Sequence, residues 1–423
     1  MNLYKIIFGF GLSTLVKALC GLAIVKLMAM WLGPTAFGIL GQLMTVVAIA
    51  SMFAGGGVTN GLIKNLSEHQ QLPDIRQRKL GAALKIFISV SVLFSLILLV
   101  YCVQLAEIIF NRSDMAWVFI VLAVSQWLVG FYNIVQALFS CLHDIKGLLF
   151  INVLGAVTGV IGFVLLIYFF RFEGAALGIV ILPAITGLIA VATWNLRIPD
   201  SWKAPIWFTT TSDIRNLLSY SGVMLVAVIA VPFAQVFVRN LMGERFGWDE
   251  VGYWQGVLKL SDVYMQFAGM LLANYALPRF TILKTQAELW RYGARFGVSI
   301  VLTMAVGFCV IYWLRFFIID LLYTQDFISM ERLFLPQLCG DILRITGSVF
   351  VYLAISRGSR VIPIVSELIQ AGGLVTLTWL ILPWFQAASP VYAYLISSAI
   401  LVVTMYVVYS IMLPKWFTCN ASM

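Results

Sequence analysis

The stretch 13–33, STLVKALCGLAIVKLMAMWLG, reads as one hydrophobic helix that carries two lysines. A hydrocarbon core about 30 Å thick takes about 20 helical residues to cross, so this run is long enough. Lys17 lies near its middle and Lys26 about two turns before its end. A lysine at such depth costs roughly 2.5–3.5 kcal/mol on insertion scales, so both ammonium groups call for a purpose.

The rest of the chain has the same character. Of 423 residues, 62% are hydrophobic and 11% charged, against about 45–50% and about 25% in soluble domains. No polar stretch is long enough to fold as a soluble domain. The chain is therefore read as a polytopic membrane protein, with its 14% aromatic share suited to the two interfaces. A net charge of +9 could suggest nucleic acid, but basic residues gathered in short loops follow the positive-inside rule instead. Six scattered cysteines without a CxxC pair argue against disulfides and a zinc site. The lead MNLYK lacks an A-x-A cleavage site and reads as the start of an uncleaved first span. No phosphate loop, no H-E-x-x-H and no metal-spaced Cys/His set is present. The outer loops are too short for a catalytic domain. The expectation is a transporter with no catalytic residues, no cofactor and no metal.

Spans are placed at 4–32, 37–63, 81–105, 114–141, 147–170, 174–196, 214–243, 249–276, 291–314, 330–356, 361–383 and 390–414. They are separated by GPTAFG (33–38), LPDIRQRK (72–79), RFEGA (171–175), IPDSWKAP (198–205), GERFGWDE (243–250) and SRGSRVIP (356–363). With the N-terminus inside, seventeen basic residues from Lys5 to Lys415 fall on the inner side. Only Arg112, Arg171, Arg239, Arg245, Arg315 and Arg332 fall outside. That bias puts both termini in the cytoplasm.

The halves repeat. VKLMAMWLGPTAFGILGQL (25–43) and VRNLMGERFGWDEVGYWQGVL (238–258) share a cation near the outer end of a helix, a turn, then glycine and glutamine. Lys26 aligns with Arg239, Gly38 with Gly252 and Gln42 with Gln255 or its neighbour. The same half-chain offset carries His143 and Lys146 onto Arg357 and Arg360, and the turn 171–175 onto 385–389. Six spans per half give parallel repeats with a path between them. The expected fold is all-α, twelve transmembrane helices in two six-helix lobes around a central cavity. The lobes are 1–197 and 214–423, joined by a cytoplasmic linker at 198–213.

Charges well inside these spans are few: Lys17, Lys26, Arg239, Lys259, Asp262, Asp341, Arg344 and Glu367. Gln255, Lys259, Asp262 and Gln266 recur at steps of four, three and four, which makes one polar stripe. Gln126, Asn133 and Gln136 form a weaker, uncharged one. Spacing of i,i+3 allows Lys259–Asp262 and Asp341–Arg344 to be intrahelical packing pairs. Lys26 and Arg239 lie near an outer boundary, where long side chains can snorkel. Lys17 has no acid within one turn and is expected to face a wet cavity. The glycine-rich AGGGVTNGLIK (54–64) allows close packing or unwinding. An interior biased towards cations suits an anionic cargo, and Asp262, Asp341 and Glu367 could balance charge or carry protons or sodium.

GWDEVGYWQGVLKLSDVYMQF (247–267), STLVKALCGLAIVKL (13–27) and QLCGDILRITGSVFVYL (337–353) resemble the Wzx-type flippases, which translocate O-antigen or enterobacterial common antigen units. Their superfamily also holds MATE-type multidrug exporters. The resemblance implies a MATE-like fold in the bacterial inner membrane and an ion gradient as the driving force. It implies a cargo of undecaprenyl diphosphate bearing a short oligosaccharide, with the polysaccharide polymerase and chain-length regulator as partners beside membrane lipids. On this reading Lys17, Lys259, Arg239, Lys26 and Arg344 would receive the diphosphate. Gln126, Asn133, Gln136, Gln255, Tyr264 and Gln266 would wall the sugars. A drug or metabolite antiporter of the same fold is the first rival; a non-transporting member of the assembly machinery is the second.

Overall fold

The computed structural model describes residues 3–54, 57, 59–68, 72–142, 144–199 and 209–418. All of its regular structure is helical among the described residues. Fourteen α-helices are labelled in chain order. The first half holds α1 (Leu3–Ala54), α2 (Thr59–Glu68), α3 (Pro73–Val100), α4 (Cys102–Phe110), α5 (Trp117–Cys141), α6 (Ile145–Arg197) and α7 (Thr211–Phe246). The second holds α8 (Trp248–Leu271), α9 (Leu277–Ile282), α10 (Gln286–Trp313), α11 (Arg315–Leu322), α12 (Glu331–Ser356), α13 (Val361–Phe385) and α14 (Ser389–Thr418).

Seven described segments are long and apolar enough to cross a bilayer. Ser13–Ala54, Ile145–Trp194 and Val361–Ile411 have 42, 50 and 51 residues, about twice the length of one crossing. Large apolar side chains such as Val306, Trp313 and Trp384 are mostly exposed. Such outward faces are stable against lipid and not against water.

Breaks in the long helices have identifiable causes. In α1, Gly33 takes φ 72°, and Pro34 then begins the second run. Glycine bears this left-handed conformation without a Cβ penalty, and proline suits a first helical position. Gly247 does the same between α7 and α8, at φ 92°. Arg171 inside α6 (φ 48°, ψ −117°) recurs as Gln386 after α13 (φ 45°, ψ −124°). Both pairs are separated by half the chain, the offset read from the sequence. Between α1 and α2, Gly57 takes φ 64°. His69 and His143 lie outside the described residues.

Two expectations about boundaries need correction. LPDIRQRK, read as a loop, is the start of α3: Pro73 takes its first position and Asp74 its first turn, both favourable at a helix N-terminus. The span expected at 249–276 runs through a π-helical turn (Leu272–Ala276) into α9.

The chain divides into two compact units: residues 1–32 with 39–225, and residues 33–38 with 226–423. The division falls inside α7, and the short segment after the first break belongs with the second unit. In the first unit α5 packs along α6 and against α3 and α2, with Leu62, Leu80, Phe87, Ile134 and Phe139 in its core. In the second, α12 and α13 pack along α14, and Phe280, Phe308, Ile345 and Tyr409 fill a core.

Asp213, in the first turn of α7, ties that helix to α3. It receives Arg78 and Lys79, each at 3.0 Å, and exchanges hydrogen bonds with Thr210. Burial opposes charge on this carboxyl, but the bonds from Thr210, Lys79 and Arg78 outweigh it and hold it well below the usual carboxylate range. A lowered folded-state value stabilises above about pH 4 and is lost as pH falls further. Asp213→Asn is expected to lower the melting temperature at pH 7, and the gap to wild type should narrow below about pH 4; scanning fluorimetry in detergent checks both.

Within the second unit Gly38 and Gly252, aligned by the repeat, pack backbone against backbone. A Cβ on Gly252 would lie 2.1 Å from the Pro34 carbonyl oxygen, and one on Gly38 2.6 Å from that of Trp248. Small residues allow such approach between membrane helices. Gly252→Ala should cost about 1–3 kcal/mol by overpacking. The same substitution at Gly269, where nothing lies within 4 Å, should leave the melting temperature nearly unchanged.

Candidate functional site

Each unit holds a cavity with polar and charged side chains in its lining. In the first unit a space of about 370 Å³ opens among α1, α5 and α6, lined on its polar side by Lys17, Ser51, Tyr132, Asn133, Asn152 and Thr186. Pro183, inside α6, also lines it and removes one helical hydrogen bond there. The Lys17 ammonium sits 5.9 Å from the centre of the Tyr132 ring, within cation–π range. Tyr132 donates to Asn152 Oδ1 at 2.6 Å, and Asn133 Nδ2 to the Ser51 carbonyl at 3.3 Å. Among the described residues no carboxylate lines this cavity and none pairs with Lys17. The space can therefore receive an anion and hydrogen-bond a polar group beside it.

The stripe read in this half divides. Gln126 is buried in the core, its Nε2 donating to the Ser91 carbonyl at 3.0 Å and to Ser95 Oγ at 2.9 Å. It joins α5 to α3. Gln136 is half-buried and does not line the cavity, and neither does Lys26, also half-buried. Of the three stripe residues, only Asn133 faces the space.

The second unit's cavity, about 190 Å³, is lined by Ser261, Asp262, Gln337, Asp341, Arg344 and Tyr394 among others. Here the charges have partners. Asp341, 1% exposed, accepts hydrogen bonds from Ser261, from Tyr264 at 2.5 Å, from Tyr394 at 2.8 Å and from Gln337 at 3.2 Å. Its expected pairing with Arg344 is corrected: Arg344 bonds Glu367 on α13 at 2.6 Å. Hydroxyl and amide donors already surround Asp341, while Glu367 faces the guanidinium from the neighbouring helix. Lys259 and Asp262 do form the intrahelical pair, at 2.9 Å. Arg239 does not reach towards headgroups. It is 2% exposed, bonds Gln255 Oε1 at 2.7 Å and lies 5.6 Å from the Trp254 ring centre. Gln266 is exposed.

Sequence reading missed Tyr132, Asn152, Thr186, Ser261, Gln337 and Tyr394. Gln337, one turn before Asp341, carried a local signal in its spacing. Asn152 and Tyr394 come from other helices, and nothing near them in the sequence marks what they meet.

Comparison with known proteins adds the following. The family model described as "Polysaccharide biosynthesis protein" matches residues 4–284. A lipid III flippase of Escherichia coli (strain K12) is 28% identical over 397 residues, covering 93% of this chain and 95% of that protein. A MATE-family multidrug resistance transporter of the MOP superfamily in an inward-facing conformation superposes with TM-score 0.75 at 11% identity, covering 96% of this chain and 95% of the other. The lipid II flippase MurJ, inward closed, superposes with TM-score 0.73 at 11% identity, covering 97% and 90%. These two likenesses concern the fold.

Arg344→Glu sets two carboxylates together and should destabilise the protein by about 1–3 kcal/mol, with Arg344→Glu/Glu367→Arg recovering most of that loss. Thermal unfolding of the three proteins in one detergent measures the coupling. An equal loss in the double variant would show that the pair contributes nothing.

Proposed function

Because the chain belongs to the polysaccharide biosynthesis protein family, we propose that it is a flippase for an undecaprenyl-diphosphate-linked oligosaccharide. The cargo is an O-antigen or common-antigen repeat unit, moved from the cytoplasmic to the periplasmic leaflet of a bacterial inner membrane. The chain is a multi-pass membrane protein and a transporter rather than an enzyme. The proposed topology is twelve spans in two lobes with both termini in the cytoplasm. A polymerase and chain-length regulator would take up the product.

One observation carries this reading: Lys17 lines a cavity beside an aromatic face, with amide and hydroxyl groups and, among the described residues, no carboxylate in its wall. A diphosphate is costly to move through hydrocarbon because its charge loses hydration. An ammonium group already held at that depth offsets part of that cost by charge-assisted hydrogen bonds. The hydroxyl and amide groups of Tyr132, Asn133, Asn152 and Thr186 suit the first sugar, whose hydroxyls need both donors and acceptors. Lys259, Arg239, Lys26 and Arg344 are secondary candidates for the phosphate, since three of them are engaged with Asp262, Gln255 and Glu367 respectively. Gln136, Gln255, Tyr264 and Gln266 remain candidates for sugar contacts made in another state of the transport cycle. Asp341 and Asp262, which face the second cavity, are the groups proposed to carry a proton or sodium ion, with Glu367 balancing Arg344. Binding the ion there and the anion in the first unit would let one gradient drive the other species.

The test uses cells that lack the chromosomal copy and express variants at matched membrane levels. Lys17→Ala should reduce surface polysaccharide about tenfold or more, the worth of one charge-assisted hydrogen bond. Inward-facing lipid-linked units should accumulate, and Lys17→Arg should keep part of the activity. Wild-type display by Lys17→Ala would remove the lysine from the mechanism.

A further inference from the structure

Outside both polar cavities, the second unit carries an apolar groove of about 370 Å³ between α10, α12 and α14. Gly293, Gly297 and Val301 form one wall, Val349 and Leu353 another, and Tyr409 a third. The glycines make the hollow. A Cβ on Gly293 would meet Leu353 at 3.1 Å, while one on Gly297 would come no closer than 3.8 Å to Val349. On α10 the lining runs from Trp290 to Leu302. At about 1.5 Å per residue that is about 18 Å, close to the depth of hydrocarbon in one leaflet.

One end of the groove differs from the rest. There Trp290 stacks on Tyr409 with ring centres 5.7 Å apart and also meets Tyr406. A second, more polar opening lined by Gln286, Ala287, Trp290, Tyr406 and Ser410 adjoins it. Arg291 follows Ala287 by four residues and precedes Ala294 by three, so it stands beside the face of α10 that carries the opening and the groove. Arg295 is one turn further along. Both are exposed, and neither has an acidic partner among the described residues. Glu288, the nearest acid on the helix, is held in the capping box with Thr285.

We infer that this groove binds an anionic phospholipid, one acyl chain lying along Gly293 and Gly297 and the phosphate held at Arg291 and Arg295. Aromatic rings at the junction of apolar and polar surface suit the level where acyl chain meets headgroup. Two unpaired arginines select negative charge. The groove lies wholly within one unit, in helices that contribute nothing to Lys17's cavity, so the lipid is a resident of the protein and not the transported cargo.

Native mass spectrometry of the delipidated full-length protein, titrated with dioleoyl phosphatidylglycerol or dioleoyl phosphatidylcholine, tests this. Wild type should favour phosphatidylglycerol. Arg291→Gln/Arg295→Gln should lose that preference, about fivefold for each arginine, with phosphatidylcholine binding unchanged. Gly297→Leu, which fills the groove, should weaken both lipids, while Gly297→Ala should behave as wild type. Equal binding of the two lipids by wild type, or phosphatidylglycerol binding unaffected by the arginine pair and by Gly297→Leu, would overturn the assignment. So would a protein dimer that Gly297→Leu abolishes in the absence of lipid, since a second copy would then be the occupant.

Discussion

Hydrocarbon does not hydrate a charge, and this one constraint orders the interior of the protein. A polar group at bilayer depth is stable only beside a partner or a water-filled space. The second unit meets the requirement with partners: Lys259 on Asp262, Arg344 on Glu367, Arg239 on Gln255 and the Trp254 ring. Asp341 meets it with donors from three helices. Lys17 meets it differently. Its neighbours are an aromatic face and a cavity whose largely apolar wall carries the amides and hydroxyls of Ser51, Asn133, Asn152 and Thr186.

That contrast gives the two halves different chemistry on a shared backbone plan. Left-handed breaks at Gly33 and Gly247, and at Arg171 and Gln386, recur at the half-chain offset. They mark turns that recur in the two halves of the chain. Around those turns the side chains have diverged. Among the described residues the first unit's cavity is lined by a lysine and no carboxylate, whereas Asp262 and Asp341 line the second unit's. The close approach of Gly38 and Gly252 belongs to the same plan, since only the absence of a side chain lets those backbones meet.

Much of this was legible in the chain itself. Hydropathy marks long apolar helices, loop charge predicts an orientation, and the half-chain offset locates turns that recur in the backbone. These properties are local or periodic, so they survive in one dimension. That Lys17 has no acid within a helical turn was equally readable, and among the described residues no carboxylate lines its cavity. The start of α3 was misread because LPDIRQRK is polar. Its proline and aspartate are helix-initiating, and two of its basic residues, Arg78 and Lys79, are held by Asp213 from a distant part of the sequence.

What the amino-acid order determined by itself was the class of protein, the rhythm of its helices and the small set of charges that had to be explained. The spacing of Lys259 and Asp262 already allowed their pair, whereas the partners of Asp341, Arg344 and Arg239 were decided by tertiary structure. Asp341 and Arg344 share a helix face, yet one is held by Ser261, Tyr264 and Tyr394 and the other by Glu367. Spacing along a helix sets which groups could meet, and packing against neighbouring helices sets which donors reach them first. Gln126 shows the same rule, since a polar residue in a stripe became a bond between α5 and α3 once those helices closed on it.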